Sequence, residues 1–267
     1  CPGQRSSPQI RRLSFGRSIC QCSKALHHHG ASSSKLMNLR TALRGCLYTP
    51  NTIRYRVEWR CLREAWKRIG EAGHLFDGGA GSGEFARKTL DEGLCKRVTA
   101  LEFDADNFSM LQRNLGRESA ATIRRGSILE IPFADASFDV VQCTQVIEHI
   151  VDHEKAASEL SRVLKPGGHA IITVPHPPEP FPNEGHVREG YTEEDLKALF
   201  EPCGLSPLHA DWFLTRETIA WMMLASRLPL GGVYLPLALV DAEAGLPVDV
   251  RRSRQPFGIL MLFQKRP

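Results

Sequence analysis

The sequence predicts an α/β fold, a doubly wound, mostly parallel sheet of seven strands with helices on both faces. Three observations carry this. A short apolar run at 74–76 ends on Asp77 and enters a turn with Gly79, Gly81 and Gly83 at alternate positions. Apolar runs of strand length then alternate with segments of helical period. At 267 residues the chain has room for one such domain of about 200 residues plus extensions.

The elements follow in order. Residues 48–69 carry Ile53, Val57, Leu62, Trp66 and Ile69 at roughly helical spacing, which predicts a helix packed over the sheet. After the strand that ends at Asp77, 84–91 is helical and 97–103 is a second buried strand with the acid Glu102 near its end. Phe108, Leu111 and Leu115 recur every three or four residues and predict a helix over 106–115. Strands are expected at 121–127, more weakly signalled, and at 138–144. A helix over 153–164 is stopped by Lys165-Pro166-Gly167-Gly168, because Pro cannot continue it and Gly tolerates a left-handed turn. A fifth strand, 169–174, precedes a helix over 192–201 with Thr192 as N-cap and Asp195 three residues on. Two more strands are expected at 208–214 and 257–263.

Ligands of such sheets bind outside the carboxyl ends of the strands. Asp77, Glu102 and the residues after Val141 fall on that edge. The glycine turn brings bare backbone amides against a small molecule, and two ligand classes use turns of this kind. Gly81-Ser82-Gly83-Glu84-Phe85-Ala86 fits the dinucleotide pattern G-x-G-x-x-G/A, with Glu102 about 20 residues downstream. Asp77 instead suits a ligand with a cationic amino acid end, since a carboxylate there repels a pyrophosphate. The turn alone leaves both open.

Charge is unevenly spread. Residues 1–68 hold 14 Lys and Arg against Glu58 and Glu64, while the remainder holds 20 against 28 acids. The basic character therefore belongs to residues 1–47, a Ser-, Arg-, Gly- and Pro-rich arm expected to be largely disordered. The same composition suits an organelle-targeting segment, or a tail for nucleic acid or anionic membrane. The chain does not begin with Met, and Met37 follows the arm, so residues 1–36 could be an upstream extension outside the functional protein. Of eight cysteines, Cys20 and Cys22 form a Cys-x-Cys pair and the other six are dispersed; with no Cys-x-x-Cys they point to reduced thiols in a cytoplasmic setting rather than a metal site, and His27, His28 and His29 are expected to stay solvated. Between Glu217 and Asp241 the only charge is Arg227, yet Pro229, Gly231, Gly232 and Pro236 break this apolar stretch into two pieces. Each piece suits a core helix, a pocket cover or a membrane-surface contact better than a membrane span.

Five stretches in order resemble the class I S-adenosylmethionine-dependent methyltransferases, in the broad group of the ubiquinone and menaquinone biosynthesis enzymes. They are Asp77-x-Gly79-x-Gly81-x-Gly83; Glu102; Ile131-Pro132-Phe133 before Ser137-Phe138-Asp139-Val140-Val141; Glu148-His149-Ile150 followed by Asp152; and Arg162-Val163-Leu164-Lys165-Pro166-Gly167-Gly168. The resemblance covers about 74–206. It implies a Rossmann-like catalytic domain over 74–267, with an apolar insertion around 216–246 and residues 48–73 as a helical cap or lid.

The resemblance also implies roles. Gly79, Gly81 and Gly83 would let the backbone approach the methionine part of the cofactor, and Asp77 would orient its ammonium directly or through water. Glu102 would accept from the ribose hydroxyls, while Phe103 and Ile128 would flank the adenine. Relatives commonly carry Gly-Asp where this chain has Gly126-Ser127, so Ser127 would meet the adenine amino group through a hydroxyl, without charge. Cys143, Thr144 and Gln145 are assigned to cofactor or acceptor positioning. His149, His176 and His186 are the candidate bases, and His186 is expected to contact a small, hydrophobic methyl acceptor. No basic patch interleaved with aromatics supports nucleic acid as a partner. Two other classes stay open: a nicotinamide-dependent oxidoreductase, and a non-catalytic cofactor-binding protein of this fold.

Overall fold

The computed structural model of the chain describes residues 47–48, 50–178, 185–226, 235–236, 241–243 and 245–267, all within the unit Gly45–Pro267. The expected basic arm, Leu47 apart, and most of the Pro-rich loop before His186 lie outside them. Seven strands form one sheet: β1 (Ala72–Gly78), β2 (Cys95–Glu102), β3 (Ala121–Arg125), β4 (Phe138–Thr144), β5 (Leu164–Pro175), β6 (Leu205–Phe213) and β7 (Gly258–Lys265). Their order is β3-β2-β1-β4-β5-β7-β6. The first five are mutually parallel, and β7 runs antiparallel between β5 and β6.

Period-two alternation sends successive strand residues to opposite faces. Leu75, Ala100, Val140, Ile171 and Leu260 join one core with helices α1 (Pro50–Ile69), α2 (Glu84–Asp91) and α3 (Ala105–Leu115). Phe76, Leu101, Val141, Ile172 and Ile259 join the other, with α4 (His153–Val163) and α5 (Glu193–Phe200). Each fully buried large apolar side chain contributes roughly 1.5–3 kcal/mol, so both faces stabilise the sheet. In α1, Ile53, Val57, Leu62, Ala65 and Trp66 are fully buried, while Arg56 and Arg60 both donate to Asp241 Oδ1 at 3.1 and 2.8 Å.

Side chains from the separate motif stretches bind one another. Arg162 donates to both Glu159 oxygens (2.6 and 2.9 Å) and to the carbonyls of Ile131 and Phe133 (2.9 and 2.8 Å). Asp139 accepts from Lys165 Nζ and from the His74 N–H, both at 2.7 Å, and so joins β1, β4 and β5. These contacts of Asp139 tie together the amino-terminal parts of β1, β4 and β5. Several boundaries shift by a few residues, among them the start of β6 at Leu205 rather than 208, and the largest shift is in β5. Strand β5 starts at Leu164 rather than at His169, because Leu164 pairs with Phe138 before the register shifts to Val140 opposite His169. The Pro-Gly-Gly run bulges the strand there and does not delay it. Within the 216–246 stretch, α6 (Arg216–Ser226) is helical, and α7 (Val248–Ser253) follows. Among the described residues no helix is long and apolar enough to cross a membrane.

Candidate functional site

The carboxyl ends of β1, β2 and β4 open onto one cavity of about 470 Å³, within the range of small-molecule sites. Its floor is the glycine turn. The Gly79 and Ala80 N–H groups both donate to Leu101 O, at 2.8 and 3.0 Å, which curls the chain back over β2. Gly79 sits at φ +75°, and a Cβ there would lie 2.4 Å from Val146 Cγ2. Gly81 sits at φ +56° with no atom within 4 Å of where its Cβ would be. A side chain at Gly81 would therefore project into the space above the turn. Gly83 does not line the cavity; it is packed against Leu111 and Leu115 of α3.

Glu102 closes β2 and is buried. Its Oε2 accepts from the Gly81 N–H at 2.7 Å and its Oε1 from the Asp104 N–H at 2.8 Å. Phe103, the next residue, is 72% exposed and lines the cavity, with the buried Ile128 on the same lining. Ser127 is there too, its Oγ accepting from the Leu129 N–H at 3.1 Å. Thr144, Gln145 and His149 complete the β4 side. Cys143 does not join them, because it points into the core and burial pushes its thiol up. That removes it from the positioning group expected of 143–145.

Asp77 stands behind the turn, outside the cavity lining and 1% exposed. Burial pushes its carboxyl up to about 7; the neighbouring Gln142 amide pulls down and the Glu102 charge pushes up further. Its Oδ1 is buried without a hydrogen-bond partner among the described residues. Such an atom calls for a donor. An amino acid ammonium held over the turn, directly or through water, would supply one.

The histidines are brought together across a long stretch of sequence. His149 and His186 have ring centroids 4.6 Å apart at 74°. His149 Nδ1 lies 2.8 Å from Gly185 O; a carbonyl only accepts, so Nδ1 carries a hydrogen, and in the neutral ring the lone pair is on Nε2. His149 lines the cavity and His186 lies just beyond its lining. His176 stands apart from this pair, its N–H donating to Phe257 O, and burial lowers its imidazole pKa.

Some lining residues carry no chemical signal in the sequence. Arg54 and Tyr55 reach the cavity from α1, whose apolar period marks only the residues facing the core. Behind them Glu58 is fully buried; its Oε1 accepts from the Thr173 hydroxyl at 2.6 Å and Arg54 Nε lies 3.7 Å from Oε2. Burial raises the Glu58 carboxyl pKa, and the Arg54 charge opposes it.

Residues 76–172 match the family model described as a methyltransferase domain. A Mycolicibacterium smegmatis protein named "Probable S-adenosylmethionine-dependent methyltransferase" is 33% identical over 49% of this chain and 57% of its own length. The chain spans about half the length of the first curated relatives it matches, at 57%, 39% and 49%. An S-adenosylmethionine-dependent methyltransferase from Mesorhizobium loti shares the fold at TM-score 0.54 and 16% identity, over 78% of this chain and 97% of that one. The malonyl-[acyl-carrier protein] O-methyltransferase of Erwinia pyrifoliae is 30% identical over 74% of this chain and 67% of its own. With that extent of likeness, on a sheet whose first two strands end in the glycine turn and Glu102, the chain belongs to the class I S-adenosylmethionine-dependent methyltransferases.

Proposed function

We propose that this chain transfers the methyl group of S-adenosylmethionine to a small acceptor with an apolar body. One observation carries the reading: the Gly81 amide, the Glu102 carboxylate and the exposed Phe103 ring border a single cavity whose size suits such a cofactor. Bound S-adenosylmethionine supplies a methyl carbon already activated by the sulfonium charge. In this reading Gly79 and Gly81 carry the methionine part, with Asp77 orienting its ammonium from behind and Gly83 keeping the turn seated on α3. Glu102 takes the ribose hydroxyls with the lone pairs that the Gly81 and Asp104 amides leave. Phe103 and Ile128 hold the adenine, and Ser127 meets its amino group. Thr144 and Gln145 bound the methionine end, and α1 covers the site through Arg54 and Tyr55.

His149 and His186 meet the polar group of the acceptor. The exposed Val151 and Val187 beside them give that rim an apolar border, which fits an acceptor with an apolar body. Holding such an acceptor in line with the methyl group supplies about 7–11 kcal/mol of the barrier reduction, which is why positioning dominates the roles above.

Calorimetric titration of the full chain with S-adenosylmethionine, its demethylated product and NADH tests the cofactor. Micromolar binding of the first two and none of the third is expected; NADH binding without the others overturns the reading. A methyl-release screen over apolar hydroxyl, amine and carboxylate acceptors then tests transfer. With an accepted substrate, His186→Ala is expected to lose turnover while keeping cofactor affinity, and unchanged turnover removes His186 from the acceptor site.

A further inference from the structure

We propose that Glu148, His149 and His186 bind one first-row divalent cation of borderline softness, Zn²⁺ or a neighbour, at the rim of the cavity. One carboxylate oxygen and one nitrogen from each ring lie within 4.8 Å of one another. Ligand atoms on a common ion at about 2.0–2.2 Å stand roughly 3.3–3.6 Å apart in a tetrahedron, so closure needs shifts of about an ångström, within reach of side-chain torsions.

The three groups are held for this. His149 Nδ1–H is spent on Gly185 O at 2.8 Å, which leaves Nε2 as the ligating nitrogen, 4.0 Å from Glu148 Oε1. A backbone carbonyl that fixes the far ring nitrogen is what metal-bound histidines show. The Glu148 side chain is 1% exposed and so does not swing in solvent. Backbone contacts lace the two segments in register. The Val187 N–H donates to Glu148 O at 2.9 Å, and Arg188 donates to the carbonyls of Ile150 and Val151 at 2.6 and 2.9 Å. His186 is therefore carried to His149 by the fold rather than by chance rotamers.

Two imidazoles with one carboxylate suit borderline ions and disfavour Mg²⁺ and Ca²⁺, which prefer all-oxygen shells. Three protein ligands leave a coordination position open, the mark of a site that takes a substrate oxygen or water. Because His149 lines the cavity, that position lies at its rim. The cation would hold an oxygen of the acceptor, with the imidazoles as ligands rather than bases. This role rests on the reading of the rim as the acceptor end; the binding itself does not. The spacing of Glu148, His149 and His186 in the chain carries no metal signature, since the site forms only when the 185–188 segment docks on 148–151.

Cobalt(II) titration of the metal-free full chain, followed by visible absorption and equilibrium dialysis, tests the site against His149→Ala/His186→Ala and Glu148→Gln. The full chain is expected to take up one more equivalent than the double variant, with ligand-field bands the variant lacks. Subtraction cancels any uptake by His27, His28 and His29 or by the cysteines. Glu148→Gln is expected to weaken that uptake tenfold or more. Equal stoichiometry and identical spectra in the full chain and the double variant overturn the proposal. If the double variant does not fold, His186→Asn alone replaces it, and undiminished Co²⁺ affinity in that variant is equally fatal. The titration contains no S-adenosylmethionine, so its failure and failure of the methyl-transfer reading are told apart.

Discussion

Gly81 and Glu102 are joined by a 2.7 Å hydrogen bond from the Gly81 N–H to Oε2, which ties the turn after β1 to the end of β2. The second Glu102 oxygen holds the Asp104 amide in the same way. One carboxylate thus shapes both loops that would cradle the cofactor. Glu102→Ala leaves two backbone donors without their acceptor, and is expected to cost about 1–3 kcal/mol in urea unfolding. Calorimetry should show cofactor affinity reduced by more than about tenfold, because the ribose contact goes with it. Glu102→Gln should fall between in stability, since its amide NH₂ faces one of the two backbone donors. Wild-type affinity in both variants would remove Glu102 from the site.

Gly79 and Gly81 should respond differently to the same substitution. Gly79→Ala drives a Cβ to 2.4 Å from Val146 Cγ2 at a left-handed φ, so it is expected to lower stability by more than about 2 kcal/mol. Gly81→Ala meets nothing, and costs about 1–2 kcal/mol for its φ alone, yet its methyl group occupies the cavity. Its deficit should therefore appear in cofactor binding. Thermal unfolding and calorimetry on both variants separate the effects; wild-type cofactor affinity in Gly81→Ala would contradict this assignment.

Much of this architecture was legible as period and punctuation. Strand 138–144 and helix 84–91 lie where apolar alternation and helical spacing put them, and Thr192 forms the capping box with Asp195 that its spacing predicts. These are local matters, decided by neighbours within a turn or two. What could not be read locally depends on contacts between distant segments. The start of β5 at Leu164 is set by pairing with Phe138, and the approach of His186 to His149 by the docking of one loop on another. Asp77 was readable as an acid at a strand end, but not as one sealed behind the turn beside Gln142. Arg162 is the sharpest case, because two stretches recognised separately turn out to be joined by its guanidinium.

Asp77 gives the chain a pH dependence with a definite sign. Its carboxyl is pushed up to about 7 by burial, whereas in the unfolded chain it titrates near about 3.9. The folded state therefore binds the extra proton between those values, and stability falls as pH rises through about 4 to 7, then levels off. Asp77→Asn removes the ionisation and can donate its introduced amide toward the Gln142 oxygen, which lacks a partner among the described residues. The variant is expected to gain up to about 4 kcal/mol over wild type at pH 8 and nothing at pH 4. Cofactor affinity should move the other way. An ammonium favours the ionised carboxylate, so wild-type binding strengthens as pH rises through 7, and the variant loses both the slope and the affinity. Urea unfolding and calorimetry at pH 5, 6, 7 and 8 check both signs; a stability difference independent of pH would show that Asp77 does not titrate there.

Phe103 offers the cleanest separation of binding from folding. Its ring is 72% exposed beside a cavity that it helps to line, so the chain gains almost nothing from it in the cofactor-free state. Exposed substitutions of this kind usually change stability by within about 0.5 kcal/mol, and Phe103→Ala should leave the thermal midpoint unchanged. If the ring stacks on adenine, its removal costs about 1–3 kcal/mol of binding, or roughly 5- to 150-fold in affinity for S-adenosylmethionine. Phe103→Leu keeps much of the apolar area without the π-face, and its loss should lie between those of wild type and Phe103→Ala. A titration series with S-adenosylmethionine and with methionine alone locates the effect, since methionine lacks the base and should bind all three proteins equally. Equal loss with both ligands would mean that Phe103 shapes the turn rather than meeting the adenine, and the ring would then belong to the architecture that Glu102 holds.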